Sequence, residues 1–288
     1  MSIVSFSFIA FSMLSALVFG ILKGGVQRIY LFTLVNTLFI YSIADVYQIG
    51  FLAAFLALSY CLVLLNPWFA NSGWFGPASV LGLTALFVVF KNYAFLSLIH
   101  LDFSLPFILG LSYIYFRCIQ MIVDRNNRVI AEFIDPLTFF NFTCNFTTFV
   151  SGPIQRYQDF VLLQSKLGDF SLSQEKFKAV LQRATKGFFK AVVLADLALT
   201  LHEYLVPRLA TYGDSGAIIY GVSSVVYLIY LYFNFSGYTD IVISAGNLFG
   251  LSLPENFDQP WKARNYLDFW KRWHISMGEW FNSYLFTP

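Results

Sequence analysis

Charge is missing from this chain in long blocks, and that absence constrains its fold more than any other feature. Apolar stretches with few or no ionisable residues cover most of the sequence: Met1–Leu22, Ile29–Gln48, Gly50–Asn66, Ala78–Ile99, Leu105–Val123, Gly187–Val206, Ala217–Thr239 and a short Ile241–Leu253. About 20 apolar residues suffice to cross a bilayer as a helix. Inside hydrocarbon every backbone N–H and C=O must be satisfied within the protein, so spanning segments of this kind are helical. The pattern predicts an all-α, polytopic membrane protein with roughly eight to ten membrane helices.

Composition agrees. Of 288 residues, 58% are hydrophobic and 12% charged, against about 25% charged in a soluble domain. Too few charges remain to cover a water-soluble surface, which excludes a soluble enzyme, a disordered chain and a nucleic-acid binder. The net charge of +2 says little about partners; the apolar blocks imply membrane lipid. Cys61, Cys118 and Cys144 lie in apolar runs without a Cys-x-x-Cys and are expected as buried small side chains. Met1–Leu22 lacks the basic start of a signal peptide and is expected to be a retained span. The glycosylation sequons at Asn141, Asn145 and Asn234 sit in apolar segments and read as chance matches. With no internal repeat and no long linker, residues 1–288 are expected to form a single integral membrane domain.

Lys and Arg orient the chain. With the N-terminus extracytoplasmic, segments 23–28, 124–135, 156–190 and 255–272 face inward and hold fifteen of the eighteen basic residues. The outer loops near Asp45, Asp102 and Asp214 hold only Arg208. Lys91 and Arg117 fall within spans; Arg117 is expected to snorkel to a cytoplasmic end and Lys91 to mark a polar cavity. Gln155–Lys186 is the one long polar interval, and Ser173 followed by Glu175, Phe177, Val180 and Leu181 predicts an amphipathic helix. Leu137–Pro153 is apolar but short and ends in Ser151-Gly152-Pro153, which predicts a re-entrant or tilted segment shielded by protein.

No metal-ligand spacing, P-loop, GxGxxG or GxSxG is present. The chemistry concentrates between Tyr232 and Pro288. Asp240 lies between two apolar runs; it reads either as a helix-end carboxylate paired with a Lys or Arg, or as a site residue in a wet cavity. Gly246-x-x-x-Gly250 is a weak signal for close helix approach. Pro254–Trp261, with two prolines, is a loop or cavity lining. Phe269–Trp280 combines aromatics with Lys271, Arg272 and His274. It reads either as an interfacial anchor or as a basic funnel in which Lys262, Arg264, Lys271 and Arg272 steer a phosphate-bearing acyl donor toward an imidazole. Arginine, the better bidentate phosphate partner, favours Arg264 and Arg272. His100 and His202 are expected near outer helix ends as satisfied residues.

Three segments in this order, Gly237-Tyr-Thr-Asp240, Leu253-Pro-Glu-Asn256-Phe-Asp-Gln-Pro260 and Phe269-Trp-Lys-Arg-Trp273-His274-Ile-Ser276, resemble the signatures of the membrane-bound O-acyltransferase family. Upstream, Leu105–Asp124 and Phe149-Val-Ser-Gly-Pro-Ile-Gln-Arg156 resemble two further elements, so the likeness runs over 105–288. It is nearest to the bacterial branch of alginate O-acetyltransferases and teichoic-acid D-alanyl transfer proteins. The resemblance implies a helical domain around a cytoplasm-facing funnel and an acyl thioester co-substrate, acetyl-CoA or an acyl carrier, with no bound cofactor and no metal. It further implies an extracytoplasmic polysaccharide acceptor, an extracytoplasmic partner protein and a location in the bacterial inner membrane. His274 is the expected assisting catalytic residue, and Lys262, Arg264, Lys271, Arg272, Asp240, Asn256 and Trp273 the expected substrate-binding set.

The chain departs from the family pattern in two places. Met277-Gly278 and Asn282 replace the usual residues after the His-Ile-Ser. The family's second histidine, in a Gly-x-Trp-His-Gly setting, has no match in His100 or His202. The chain is therefore expected to be the N-terminal part of a longer protein or a truncated product. Two alternatives to a working O-acetyl transferase remain at this point: an inactive truncated remnant, and a non-catalytic transporter or scaffold for polysaccharide export, which the absence of repeats disfavours.

Overall fold

The computed structural model describes residues 4–91, 107–207 and 216–286, which carry no β-strand. The helices are, in order, α1 Phe6–Ile21, α2 Gly25–Ile43, α3 Val46–Leu65, α4 Phe75–Lys91, α5 Leu111–Asn126, α6 Pro136–Thr143, α7 Tyr157–Ser165, α8 Gln174–Phe188, α9 Ala195–Leu205, α10 Gly216–Leu248, α11 Tyr266–Arg272 and α12 Ile275–Phe281. Three helical stretches among the described residues, Gly25–Ile43, Val46–Phe69 and Ala217–Leu248, are long and apolar enough to cross a membrane; α1 and α4 are apolar but shorter. Outward-facing positions of these helices are themselves apolar, for example Leu14, Leu17, Leu34, Leu38, Ile218 and Val225. Such faces suit lipid rather than water, and the chain is an all-α membrane protein.

Boundaries shift where capping chemistry overrides hydropathy. The break between the second and third spans falls at Ala44–Asp45, ahead of the expected Gly50, because Asp45 and Gln48 form a capping box that starts α3. The expected spans Ala217–Thr239 and Ile241–Leu253 are one 33-residue helix. It ends in a Schellman motif at Gly250, φ +77, where Leu251 N–H reaches the Gly246 carbonyl and Gly250 N–H reaches that of Asn247. Gly246 and Gly250 thus close a helix instead of pairing two. Hydroxyls within the apolar helices donate back to the carbonyl four residues earlier, as at Ser12, Ser59, Ser79 and Thr239, so none of these four enters the hydrocarbon unsatisfied.

The chain divides into two compact units. One comprises Met1–Gly20 and Ser171–Ile275, the other Ile21–Phe170 and Ser276–Pro288. In the first, Ser173 caps α8 by accepting from Lys176 N–H. This amphipathic helix continues through a π-helical turn, Phe189–Leu194, into α9, so residues 174–205 run unbroken. α10 packs along it. His202 Nδ1 lies 2.8 Å from the Ser223 hydroxyl, linking α9 to α10.

In the second unit, arginines organise irregular backbone. Arg117 does not snorkel: it is 1% exposed, and its guanidinium donates to the carbonyls of Phe142, Thr143 and Thr148 at 3.1, 2.8 and 2.6 Å. These carbonyls belong to the end of the short helix α6, capped by Asp135, and the chain that follows it. The non-helical chain expected there is therefore shielded by protein and satisfied by an arginine. Arg28 likewise donates to the carbonyls of Leu22, Leu167 and Phe170. Asn36 Nδ2 donates to Asn141, Asn141 Nδ2 donates to Thr33, and Asn36 accepts from Phe146 N–H. Asn141 and Asn145 are buried, as chance sequon matches would be. Lys91 rests over the Phe107 ring at 5.1 Å, a cation–π contact. Cys118 and Cys144 are buried and free, whereas Cys61, expected to be buried, is exposed.

Candidate functional site

Every expected site residue lies in the unit formed by Met1–Gly20 and Ser171–Ile275. The site begins where α8 crosses α10. A Cβ on Gly187 would lie 2.8 Å from the Gly237 carbonyl oxygen, and one on Gly237 would lie 2.6 Å from that of Gly187. Only two glycines permit this approach. One turn to either side of Gly187 stand Arg183 and Lys190, and one turn beyond Gly237 stands Asp240. Arg183 Nε donates to Asp240 Oδ1 at 3.0 Å and Lys190 Nζ to Oδ2 at 2.7 Å. Asp240, expected at a junction between spans, sits in mid-helix held by two cations, with its side chain 16% exposed. That pairing matches the structural alternative for this carboxylate and offsets its burial.

Arg183 has a second task. Its Nη1 and Nη2 form a two-pronged pair with Glu255 at 2.7 and 2.6 Å, fixing the loop that follows α10. The neighbouring Asn256 is wholly buried, and its carbonyl accepts from Ile275 N–H at 3.0 Å. Asp258 N–H donates to the Arg272 carbonyl at 3.0 Å, and Phe257 bridges Trp273 antiparallel. Two segments distant in sequence, 256–258 and 272–275, are thereby stitched together around residue 274.

His274 pays for this with backbone strain, holding φ +49, a region β-carbon-bearing residues rarely occupy. Its ring meets Phe235 of α10 edge-on, 4.7 Å between centroids. Nδ1 is buried without a hydrogen-bond partner among the described residues. Burial pushes the imidazole down from 6.5 to about 4, so it is neutral at physiological pH. Trp273 stacks on Phe269 at 5.5 Å and meets Phe257 edge-on at 5.1 Å. Beside them an apolar cavity of about 490 Å³ is walled by Tyr232, Trp261, Phe269 and Trp273 with one face of α10.

The expected cationic set separates. Lys262, Arg264 and Lys271 are not buried and form no ion pair with described residues. Arg272 is already engaged, by Asp258 Oδ2 at 3.0 Å and Asp268 Oδ1 at 2.9 Å. Asp268 is held below the usual carboxylate range by the Arg264 backbone N–H and the Arg272 guanidinium. Arg183, Gly187 and Lys190 are not among the residues that the sequence singles out, while Gly237 and Glu255 stand inside the quoted segments without an assigned role. A signal is present in Arg183, Gly187 and Lys190, spaced to share one helix face, but their partners lie some fifty to seventy residues away. His100 is outside the described residues. No cluster able to hold a metal ion occurs among the described residues.

No family model matches the chain. Individual curated proteins do. A teichoic acid D-alanyltransferase of Bacillus subtilis is 30% identical over 75% of this chain and 55% of its own length. A probable alginate O-acetylase of Pseudomonas syringae is 31% identical over 63% of this chain and 35% of its own. A peptidoglycan O-acetyltransferase of Helicobacter pylori is 31% identical over 55% and 29%. The chain spans about half the length, or less, of the relatives it matches. Three proteins named for acyl transfer to different envelope polymers are each about 30% identical to this chain, and all three are of the membrane-bound O-acyltransferase type.

Proposed function

We propose that this chain takes part in moving an acyl group, acetyl in the simplest case, from a cytoplasmic thioester to a hydroxyl of an extracytoplasmic envelope polysaccharide. The observation that carries the reading is His274: an imidazole kept neutral by burial, held at φ +49 by bonds from two motif segments. Strain is retained where surrounding structure over-determines it, and sites of chemistry are where such residues cluster. A neutral imidazole suits acyl transfer. The acceptor hydroxyl gives up its proton as its oxygen bonds to the thioester carbonyl carbon. The C–S bond then breaks, and the departing thiolate takes a proton. His274 assists by accepting or orienting the hydroxyl proton.

Lys262, Arg264 and Lys271 supply cations for the phosphates of an acetyl-CoA or acyl-carrier donor. Arg272, Asn256 and Trp273 shape the corner, and Asp240 anchors it. The excess of Lys and Arg in 156–190 and 255–272 supports a cytoplasm-facing site, an extracytoplasmic N-terminus and an inner-membrane location. An extracytoplasmic partner protein would present the polymer hydroxyl for this transfer. The transporter alternative has less support, because Asp240 and Lys91, the in-span charges it relies on, are engaged by Arg183, Lys190 and Phe107.

The test is polymer O-acylation in cells carrying the intact gene, with Lys262, Arg264 and Lys271 changed together to Gln. At equal membrane levels the variant should need a higher donor concentration for half-maximal acylation. Unchanged donor dependence would remove these cations from the donor site.

A further inference from the structure

The unit formed by Ile21–Phe170 and Ser276–Pro288 contains a small cavity that the reading above does not use. Its volume is about 20 Å³, and its walls come from α5, the chain leading into α7, and α12 with the π-helical turn after it. Gln120 of α5 lines it. That side chain is wholly buried, and neither its amide oxygen nor its amide nitrogen has a hydrogen-bond partner among the described residues. Trp280 of α12 lines it too, 8% exposed, with its indole Nε1–H equally without a partner.

The remaining polar walls are Glu279, which is exposed, and three groups with partners of their own. Ser276 Oγ accepts from Ile154 N–H at 3.0 Å, Arg156 Nη2 donates to Ser283 Oγ at 3.1 Å, and the Tyr284 hydroxyl donates to Asp124 Oδ2 at 3.2 Å. The two buried groups without partners call for an acceptor for the indole, and a donor and an acceptor for the amide. Buried polar groups in native interiors are almost always satisfied, by protein or by water. One water needs about 10–15 Å³ of centre-accessible space and two to four polar partners. The volume and the unmet groups both fit a single oxygen.

We infer that this cavity is a binding site for one hydroxyl-type oxygen, held by the Trp280 indole N–H and the Gln120 amide, which ties α12 to α5. In the resting protein that oxygen is a water. α12 is the helix that follows His274 in the chain, so the ligand helps fix the segment leaving the proposed site. The inference does not depend on the acyl-transfer reading, because it concerns other residues and a measurement made without substrate.

The experiment uses the purified full chain in detergent, with no donor or acceptor present. Gln120→Met keeps the side chain's volume and removes both unmet polar atoms. A bound water makes the amide useful, so the apparent unfolding temperature should fall by about 3 °C or more. A dry cavity makes the amide a liability, so an unchanged or raised temperature overturns the proposal. A second measurement does not depend on stability. In nitrogen-15-labelled protein, the indole proton assigned by Trp280→Phe should show a cross-peak at the water frequency, weakened in Gln120→Met. Its absence from the unmutated protein also overturns the inference.

Discussion

Gly187 and Gly237 meet backbone to backbone: a Cβ on Gly237 would lie 2.6 Å from the Gly187 carbonyl oxygen. This one contact sets the distance at which α8 and α10 cross, and so places Arg183 and Lys190 within reach of Asp240. Gly187→Ala and Gly237→Ala should each destabilise the protein by about 1–3 kcal/mol through overpacking. Gly221, on the same helix α10, has open space where a methyl group would stand, with nothing within 4 Å, so Gly221→Ala should be neutral or slightly stabilising. Thermal unfolding in one detergent compares all three; equal effects at the three positions would refute the crossing.

The fork of Arg183 onto Glu255 predicts that charge alone will not replace it. Arg183→Lys keeps the cation but loses the two-pronged geometry. It should lose most of the coupling to Glu255, measured by a double-mutant cycle, while retaining part of that to Asp240. Asp240→Asn should cost about 1–3 kcal/mol, since two half-buried cations then lack their shared counter-charge. If Asp240→Asn unfolds with the unmutated protein, the cluster has no structural role.

Arg117 is the largest wholly buried side chain among the described residues, and three carbonyls of the 142–148 segment depend on it. Arg117→Met should leave those carbonyls unsatisfied in an apolar interior and cost about 3 kcal/mol or more. The expected readout is a sharp loss of folded protein in the membrane fraction. Normal yield and melting of Arg117→Met would contradict this assignment.

The depressed imidazole gives a pH signature. In the folded chain His274 protonates at about 4, against 6.5 when exposed. Between those values the unfolded chain binds the extra proton, so stability falls as pH drops from 6.5 toward 4. His274→Asn, which tolerates the left-handed backbone, should flatten that part of the stability profile. A profile unchanged by the substitution would mean that the ring is not buried as described.

Much of the fold is legible in the sequence because it rests on local pattern. Apolar blocks announce helices, Ser151-Gly152-Pro153 announces a chain that cannot continue as a helix, and the Gly-Tyr-Thr-Asp, Leu-Pro-Glu-Asn and Trp-His-Ile-Ser segments mark the corner that the fold assembles around His274. What escapes such reading is set by distant partners. Hydropathy alone splits α10 at Asp240, because it registers the cost of a charge and not the Arg183 and Lys190 that offset it. The same blindness sends Arg117 to the membrane surface, when carbonyls of a segment some thirty residues on are its partners. Gly246 and Gly250 suggest helix pairing by their spacing, whereas the glycines that pair helices are Gly187 and Gly237, which no spacing within one helix could reveal.

The central claim is that the His274 imidazole assists acyl transfer. It is tested most directly by O-acylation of envelope polysaccharide in cells carrying the intact gene with His274→Asn, at matched membrane levels and with unchanged melting at pH 7.5. Loss of an assisting acid–base group predicts a fall of about 100-fold or more. Acylation within about twofold of the unmutated level, far short of that loss, would contradict the account.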